Sequence, residues 1–324
     1  MSATMRKIFC CKSDDPTQPK KHKSKRPANT AFKQQRLKAC QPILTPIPVI
    51  ITFLVIGIIF VPVGVVMLIS SNNVVEVETR YDDNCQIGEI CTVTLDIKEK
   101  MEEPVYLYYK LTNYYQNHRR YVKSRNDQQL RGNKVTSKSD IEDCDPVKSL
   151  DGSSDKNNFF LPCGLIAKSY FNDTFALRYP NNKLVPLKKK GIAWSSDLDH
   201  KFKNPGSDVP GIRVISDFED EDFVVWMRTA GLPTFKKLYR IINTDLQPGN
   251  YSVTIQNNYP TAKFDGKKYV VLSTVSWLGG KNPFLGIAYI VVGSLCIGLG
   301  ILFGFVHCIR PRRLGDITYL NWNK

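Results

Sequence analysis

No charged residue occurs between Lys38 and Glu76, a gap of 37 residues, and the stretch from Val49 to Ile69 inside it is almost wholly aliphatic. A second gap of 28 residues, between Lys281 and Arg310, has only His307, Tyr289 and two cysteines as ionisable members. A helix needs about 20 apolar residues to cross the hydrocarbon core of a bilayer, and each gap supplies more. The first starts too late and lasts too long for a cleavable signal peptide, whose apolar core is about 7 to 15 residues near the N-terminus. It is therefore read as an uncleaved signal anchor. The chain divides into a basic tail (residues 1–46), a first span (47–70), a large domain (71–281), a second span (282–309) and a short tail (310–324).

Charge gives this division an orientation. The formal net charge is +15, yet residues 1–46 hold 11 Lys+Arg against 2 Asp+Glu, residues 310–324 hold 4 against 1, and the segment between them is nearly balanced, with 30 basic and 27 acidic residues. Short basic flanks stay in the cytosol, so both tails are predicted cytosolic and residues 71–281 exoplasmic. The positive charge is then mainly a topology signal and a weak argument for nucleic acid.

That orientation decides how to read "TNYYQNHRRYVKSRND", residues 112–127. Three tyrosines among four basic residues look like a stacking and phosphate-tracking surface. In a nearly neutral outer domain no nucleic-acid partner is expected. Tyr114, Tyr115 and Tyr121 are instead predicted to pack into the core. Arg119, Arg120 and Arg125 should pair with carboxylates or lipid headgroups, and His118 should be a satisfied structural histidine.

The outer segment also carries the marks of an oxidising compartment. Both N-x-S/T sequons, at Asn172 and Asn250, fall inside it, as do Cys85, Cys91, Cys144 and Cys163 of the nine cysteines. Four cysteines allow three pairings. Short loops favour Cys85 with Cys91, around "QIGEI", and Cys144 with Cys163. In the N-terminal tail, Cys10 and Cys11 are candidates for palmitoylation. The run "KKHKSKR" (20–26) either leans on anionic lipid or only sets topology.

Alternation in "VVEVETRY" (74–81), "CTVTLDI" (91–97) and the run from Tyr251, with the β-branched "KYVVLSTVSW", predicts strands. Asp265-Gly266 between the last two is a hairpin-turn signal. Helical candidates are "CGLIAKSYF" and "DEDFVVWMRTAGLPTFKKLYR", the latter broken or kinked by Pro233. The expected fold is an integral membrane protein with two transmembrane helices and a large β-rich, antiparallel α+β exoplasmic domain. Pro46, Pro48 and Pro62 predict a first span kinked or irregular at both ends. In the second span Gly286, Gly293, Gly300 and Gly304 return to one helix face, and the last two make a G-x-x-x-G pair. Such a face lets another membrane helix approach closely.

No catalytic constellation is visible: there is no G-x-S-x-G, H-E-x-x-H, phosphate-binding loop or paired C-x-x-C. No catalytic residue, cofactor or metal is predicted. A membrane-anchored exoplasmic enzyme is an alternative reading, and a two-span ligand-gated channel subunit is another, but these spans supply almost no polar lining for a pore.

Between about Arg26 and Tyr289 the chain resembles the cell-cycle-control-protein-50 family, the accessory beta subunits of type IV P-type ATPases that flip phospholipids. The matching blocks are "NTAFKQQRL", "QPILT", "NYYQNHRRYVKSR", "PCGLIAKSYFNDT", "GIAW", "EDFVVWMRTAGLPTFKKLYR" and "LSTVSWLGGKNPFLGIAY", in the family's order. "ACQPILTP" and "LGDITYLNWN" look like plant-type members. The resemblance implies a non-catalytic partner of a flippase ATPase that assists its exit from the endoplasmic reticulum and its transport cycle. It also implies the disulfides Cys85–Cys91 and Cys144–Cys163 and a glycan at Asn172. The glycine face from Gly286 to Gly304 and the outer domain are then expected to grip the ATPase.

Overall fold

The computed structural model describes residues 26–39, 45–135, 137–150, 155–207 and 209–311. Cys10, Cys11, most of the basic run 20–26, most of "QPILT" and nearly all of the C-terminal tail lie outside the described residues.

Among the described residues the chain forms seven α-helices and nine strands. The helices are α1 (Pro46–Asn72), α2 (Arg119–Lys123), α3 (Asp127–Leu130), α4 (Leu165–Lys168), α5 (Ser195–His200), α6 (Glu221–Met227) and α7 (Phe284–Ile309). The strands are β1 (Glu76–Arg80), β2 (Ile90–Ile97), β3 (Val105–Leu111), β4 (Phe160–Leu161), β5 (Thr174–Arg178), β6 (Ile212–Arg213), β7 (Phe235–Ile242), β8 (Gly249–Gln256) and β9 (Lys268–Ser273).

The two charge-free gaps become α1 and α7, of 27 and 26 residues. At 1.5 Å per residue each is about 40 Å long, enough to cross a bilayer. The protein is thus a two-span membrane protein with a β-rich domain between its spans. The first span corrects the expectation of irregular ends. Pro46 opens the helix, where its missing N–H costs nothing, and the helix continues through Pro62.

Between the spans, two antiparallel sheets face each other, one ordered β1-β9-β3-β7 and the other β2-β8-β5. Period-two alternation produces this layering. Along β3, Val105, Leu107, Tyr109 and Leu111 point inward while Tyr106, Tyr108 and Lys110 face outward. Tyr251, Val253 and Ile255 of β8 do the same from the other sheet, and both inner faces share one apolar cluster. A smaller cluster of Val135, Ile141, Cys144, Phe159 and Cys163 lies apart from it.

Two expectations are revised. Asp265 does adopt a left-handed turn conformation, φ 50°, but β8 and β9 flanking it belong to different sheets and do not pair. The segment "DEDFVVWMRTAGLPTFKKLYR" is helical only as α6, and from Phe235 it is strand β7. The alternating burial of Phe235, Lys237 and Tyr239 against β3 outweighs the helical reading.

Candidate functional site

The spans form an antiparallel hairpin whose glycines interlock at a seven-residue period. A Cβ built at Gly64 would lie 2.8 Å from the Gly286 carbonyl oxygen and 2.9 Å from the Ile290 nitrogen. One at Gly57 would meet the Ile297 side chain and, at 2.8 Å, the Gly293 carbonyl oxygen. In the other direction Gly286 faces Leu68, Gly293 faces Val61 and Gly300 faces Leu54, each with an α1 atom 2.8–2.9 Å from the built Cβ. Thus Leu54, Val61 and Leu68 sit over Gly300, Gly293 and Gly286, while Ile290 and Ile297 sit over Gly64 and Gly57. A shared period of seven is that of left-handed knobs-into-holes packing. Phe60–Tyr289 and Phe53–Phe303 ring contacts, 5.0 and 5.9 Å between centroids, flank the seam.

This corrects the assignment of Gly286, Gly293 and Gly300 to a docking face for the ATPase, because the chain's own first span already fills that face. Gly304 lies at its loose end, where a built Cβ would be 4.0 Å from the Ile50 side chain. The matching glycines, Gly57 and Gly64, were not singled out in the sequence, although their spacing of seven is the same.

Above the hairpin, Cys85 is bonded to Cys91 and Cys144 to Cys163. The second bond rests on the stretch that resembled a nucleic-acid surface. Ser124 Oγ donates to the Cys144 carbonyl (3.1 Å) and accepts from the Leu165 amide (2.9 Å), and Gln129 Oε1 accepts from the Cys163 amide (2.8 Å). Gly164, at φ 106°, passes so close to the Ser124 carbonyl that a Cβ would collide with it. Tyr114 and Tyr121 pack against the core and contact each other edge-on. Tyr115, by contrast, is 57% exposed. Arg125 pairs with Asp127 at 3.1 Å, whereas Arg119 and Arg120 are exposed with no ion pair among the described residues. His118 precedes α2, exposed and without a side-chain cap. It is not the satisfied structural histidine expected, since its ring has no hydrogen-bond partner among the described residues.

Asn172 is exposed, and so is Asn250 on β8. The residue after Asn172 is not. Asp173 is buried and binds four donors: the Tyr81 hydroxyl (2.7 Å), the Lys268 ammonium (2.8 Å) and the amides of Asn258 and Tyr259 (both 2.6 Å). Lys268, fully buried, also donates to the Tyr259 carbonyl (2.6 Å) and to Asn257, whose amide in turn donates to the Cys85 carbonyl. Burial pushes the Tyr81 phenol well up, reinforced by Asp173, and pushes the Lys268 ammonium down, with Asp173 opposing. A saturated network of this kind is a rigid support, and it ties the Cys85–Cys91 loop to β5 and β9.

A second buried carboxylate, Asp197 on α5, is gripped by Arg228 Nε (2.5 Å) and Lys201 Nζ (2.7 Å). The Arg228 hydrogen bond, with help from Lys201 and against burial, lowers its pKa below the usual carboxylate range. The unfolded chain therefore binds the proton first as pH falls, so this stabilisation is complete above the ordinary aspartate pKa of about 3.9 and is lost below it. Melting temperature is expected to fall as pH drops below about 4, and Asp197→Asn should flatten that slope while lowering stability at neutral pH. Thermal unfolding across this range checks it.

Among the described residues, no group of three or more His, Cys, Asp or Glu side chains is placed to hold a metal ion. What the arrangement offers is a rigid, disulfide-tied surface carried on a tightly locked pair of spans.

Comparison with known proteins agrees with that picture. Residues 67–313 match the model of the LEM3 (ligand-effect modulator 3) / CDC50 family. The chain is 47% identical to ALA-interacting subunit 3 of Arabidopsis thaliana, over 93% of this chain and 92% of that one. It is 44% identical to cell cycle control protein 50A of Bos taurus (86% and 88%) and 40% identical to cell cycle control protein 50B of Homo sapiens (90% and 95%). The chain belongs to the CDC50 family. Within this family member, the blocks that carried the resemblance have structural duties. "NYYQNHRRYVKSR" seats the Cys144–Cys163 bond, "FNDT" holds the buried Asp173, and "GGKNPFLGIAY" begins the glycine seam of α7.

Proposed function

We propose that this chain is the non-catalytic accessory subunit and chaperone of a phospholipid-translocating type IV P-type ATPase. The observation that carries the reading is the 47% identity, over nearly the whole of both chains, to a protein named for its interaction with a partner called ALA. The family resemblance makes such a partner a flippase ATPase. The architecture supports it, since a locked two-span hairpin under a cross-braced domain is suited to binding a partner.

In this reading both termini are cytosolic, and the β-rich domain lies in the lumen or outside, with glycans on Asn172 and Asn250. The subunit pairs with its ATPase in the endoplasmic reticulum, allows its departure toward the Golgi apparatus, and supports lipid flipping. It acts only by stabilising the ATPase states it contacts, so a change in the cycle needs a difference in affinity between states. The phospholipid bilayer is its other partner, and it has no cofactor.

Co-expression with candidate type IV ATPases tests the proposal. Complex recovery and lipid-stimulated ATP hydrolysis should both rise when this chain is present. Hydrolysis or cation current from the chain alone would overturn the accessory role. Orientation has its own test: glycosidase treatment of protein from a secretory host should remove two glycans, one lost in Asn172→Gln and the other in Asn250→Gln. Protein without glycans would reverse the predicted topology.

A further inference from the structure

The segment from β9 to α7 is pinned at the level where the β domain meets the spans. The Thr274 amide donates to the Val75 carbonyl, and the Val75 amide donates to Thr274 Oγ1, both at 3.0 Å. Val75 is three residues beyond the end of α1. Further along, the Asn282 amide donates to Ser71 Oγ within the last turn of α1 (2.9 Å). Between these pins the chain makes a tight turn in which the Ser276 and Gly279 backbones exchange hydrogen bonds of 2.8 and 2.9 Å.

That turn presents Trp277 to the outside. Its side chain is 73% exposed, and so is Phe284, the first residue of α7. Lys281 between them is exposed and has no ion pair among the described residues. Trp277 lies three positions after Thr274, so the chain's extended reach of about 3.3–3.6 Å per residue holds it within about 10 Å of the Val75 level. An indole left in water at that level has no reason to be there. In the headgroup layer its apolar body is covered while its N–H stays hydrated, and a lysine beside it reaches the phosphates.

We infer that the Ser276–Gly279 turn is a lipid-contacting anchor: Trp277 seats in the headgroup layer of the leaflet on the domain's side, with Lys281 on lipid phosphate and Phe284 at the acyl boundary. The anchor fixes the height and lean of the β domain over the bilayer. The inference rests on the two-span fold and is independent of which protein the chain assists.

The test uses the full chain in phosphatidylcholine nanodiscs whose lipids carry bromine high on the acyl chains, compared with unbrominated nanodiscs. Trp194, Trp226 and Trp322 share the emission, so the reading is the difference between wild type and Trp277→Phe. Brominated lipid is expected to quench a component of wild-type emission that is missing from the variant. Acrylamide, delivered from water, should quench that same component weakly. Equal bromine quenching of the two proteins, or strong acrylamide quenching of the Trp277 component, would place the indole away from lipid and overturn the assignment. Because Trp277 is mostly exposed, the variant should keep the wild-type melting temperature. A Trp277→Tyr protein, which keeps an amphipathic ring but shifts the emission, provides a second reading.

Discussion

Gly64→Leu is expected to open the membrane hairpin, at a cost near the upper end of the about 1–3 kcal/mol typical of overpacking. Its Cβ would be driven against the Gly286 carbonyl oxygen and the Ile290 nitrogen, both backbone atoms that cannot rotate away. Gly293→Leu should do the same from α7, where Val61 presses from the other side. Gly298→Leu is the control, because a Cβ there meets nothing within 4 Å. In detergent, the first two variants should lose monodisperse protein and melt many degrees lower, while Gly298→Leu behaves as wild type. Equal behaviour of all three would remove the interlocked seam. Reduced recovery of an ATPase complex with Gly293→Leu would follow from a broken subunit, and would not by itself locate the partner's contact.

The glycine stripe shows what a sequence makes legible and what it does not. Spacing by seven marks one face of α7 as closely packed, because 700° of rotation nearly closes on itself. It does not name what lies against that face. The answer was in the same sequence, at Gly57 and Gly64, but their pairing with α7 depends on two helices more than 200 residues apart lying antiparallel in one register. The spans themselves were legible because the bilayer sets a length and a polarity that few other structures require.

In the β domain, alternation located β1, β2 and β8, since one face of each strand had to be apolar, and a β-branched run located β9. Neither signal tells where a charged residue within a strand points. Lys268 opens β9 and looks like a solvated strand end, yet it is fully buried on Asp173, 95 residues earlier. Lys237 likewise sits in the inward register of β7, where its ammonium donates to the carbonyls of Val225, Trp226 and Arg228 at the end of α6. Burial pushes that group down to about 7. Tyr115 erred in the opposite sense: three tyrosines close in sequence look equivalent, but the turn after β3 packs only Tyr114 against the core, and Tyr121 packs there from α2.

The three residues of the first sequon should separate cleanly by experiment. Asn172 and Thr174 are exposed, so Asn172→Gln and Thr174→Ala are expected to lose the glycan and keep the folded domain. Asp173→Ala leaves the sequon intact, since any residue but proline serves at its centre. It also strands the fully buried Lys268 ammonium without its anion and removes the acceptor for Tyr81, Asn258 and Tyr259. Breaking one side of a buried pair costs about 3–5 kcal/mol, a large share of the roughly 5–15 kcal/mol that holds a typical domain together. Asp173→Ala should therefore be retained and degraded in cells, and the little protein recovered should melt far below wild type. Adding Lys268→Met should return part of the loss, because no charge is then buried alone, whereas the same methionine change by itself strands Asp173. If Asp173→Ala were as stable as Thr174→Ala, the buried network would not be what joins the disulfide loop to the two sheets.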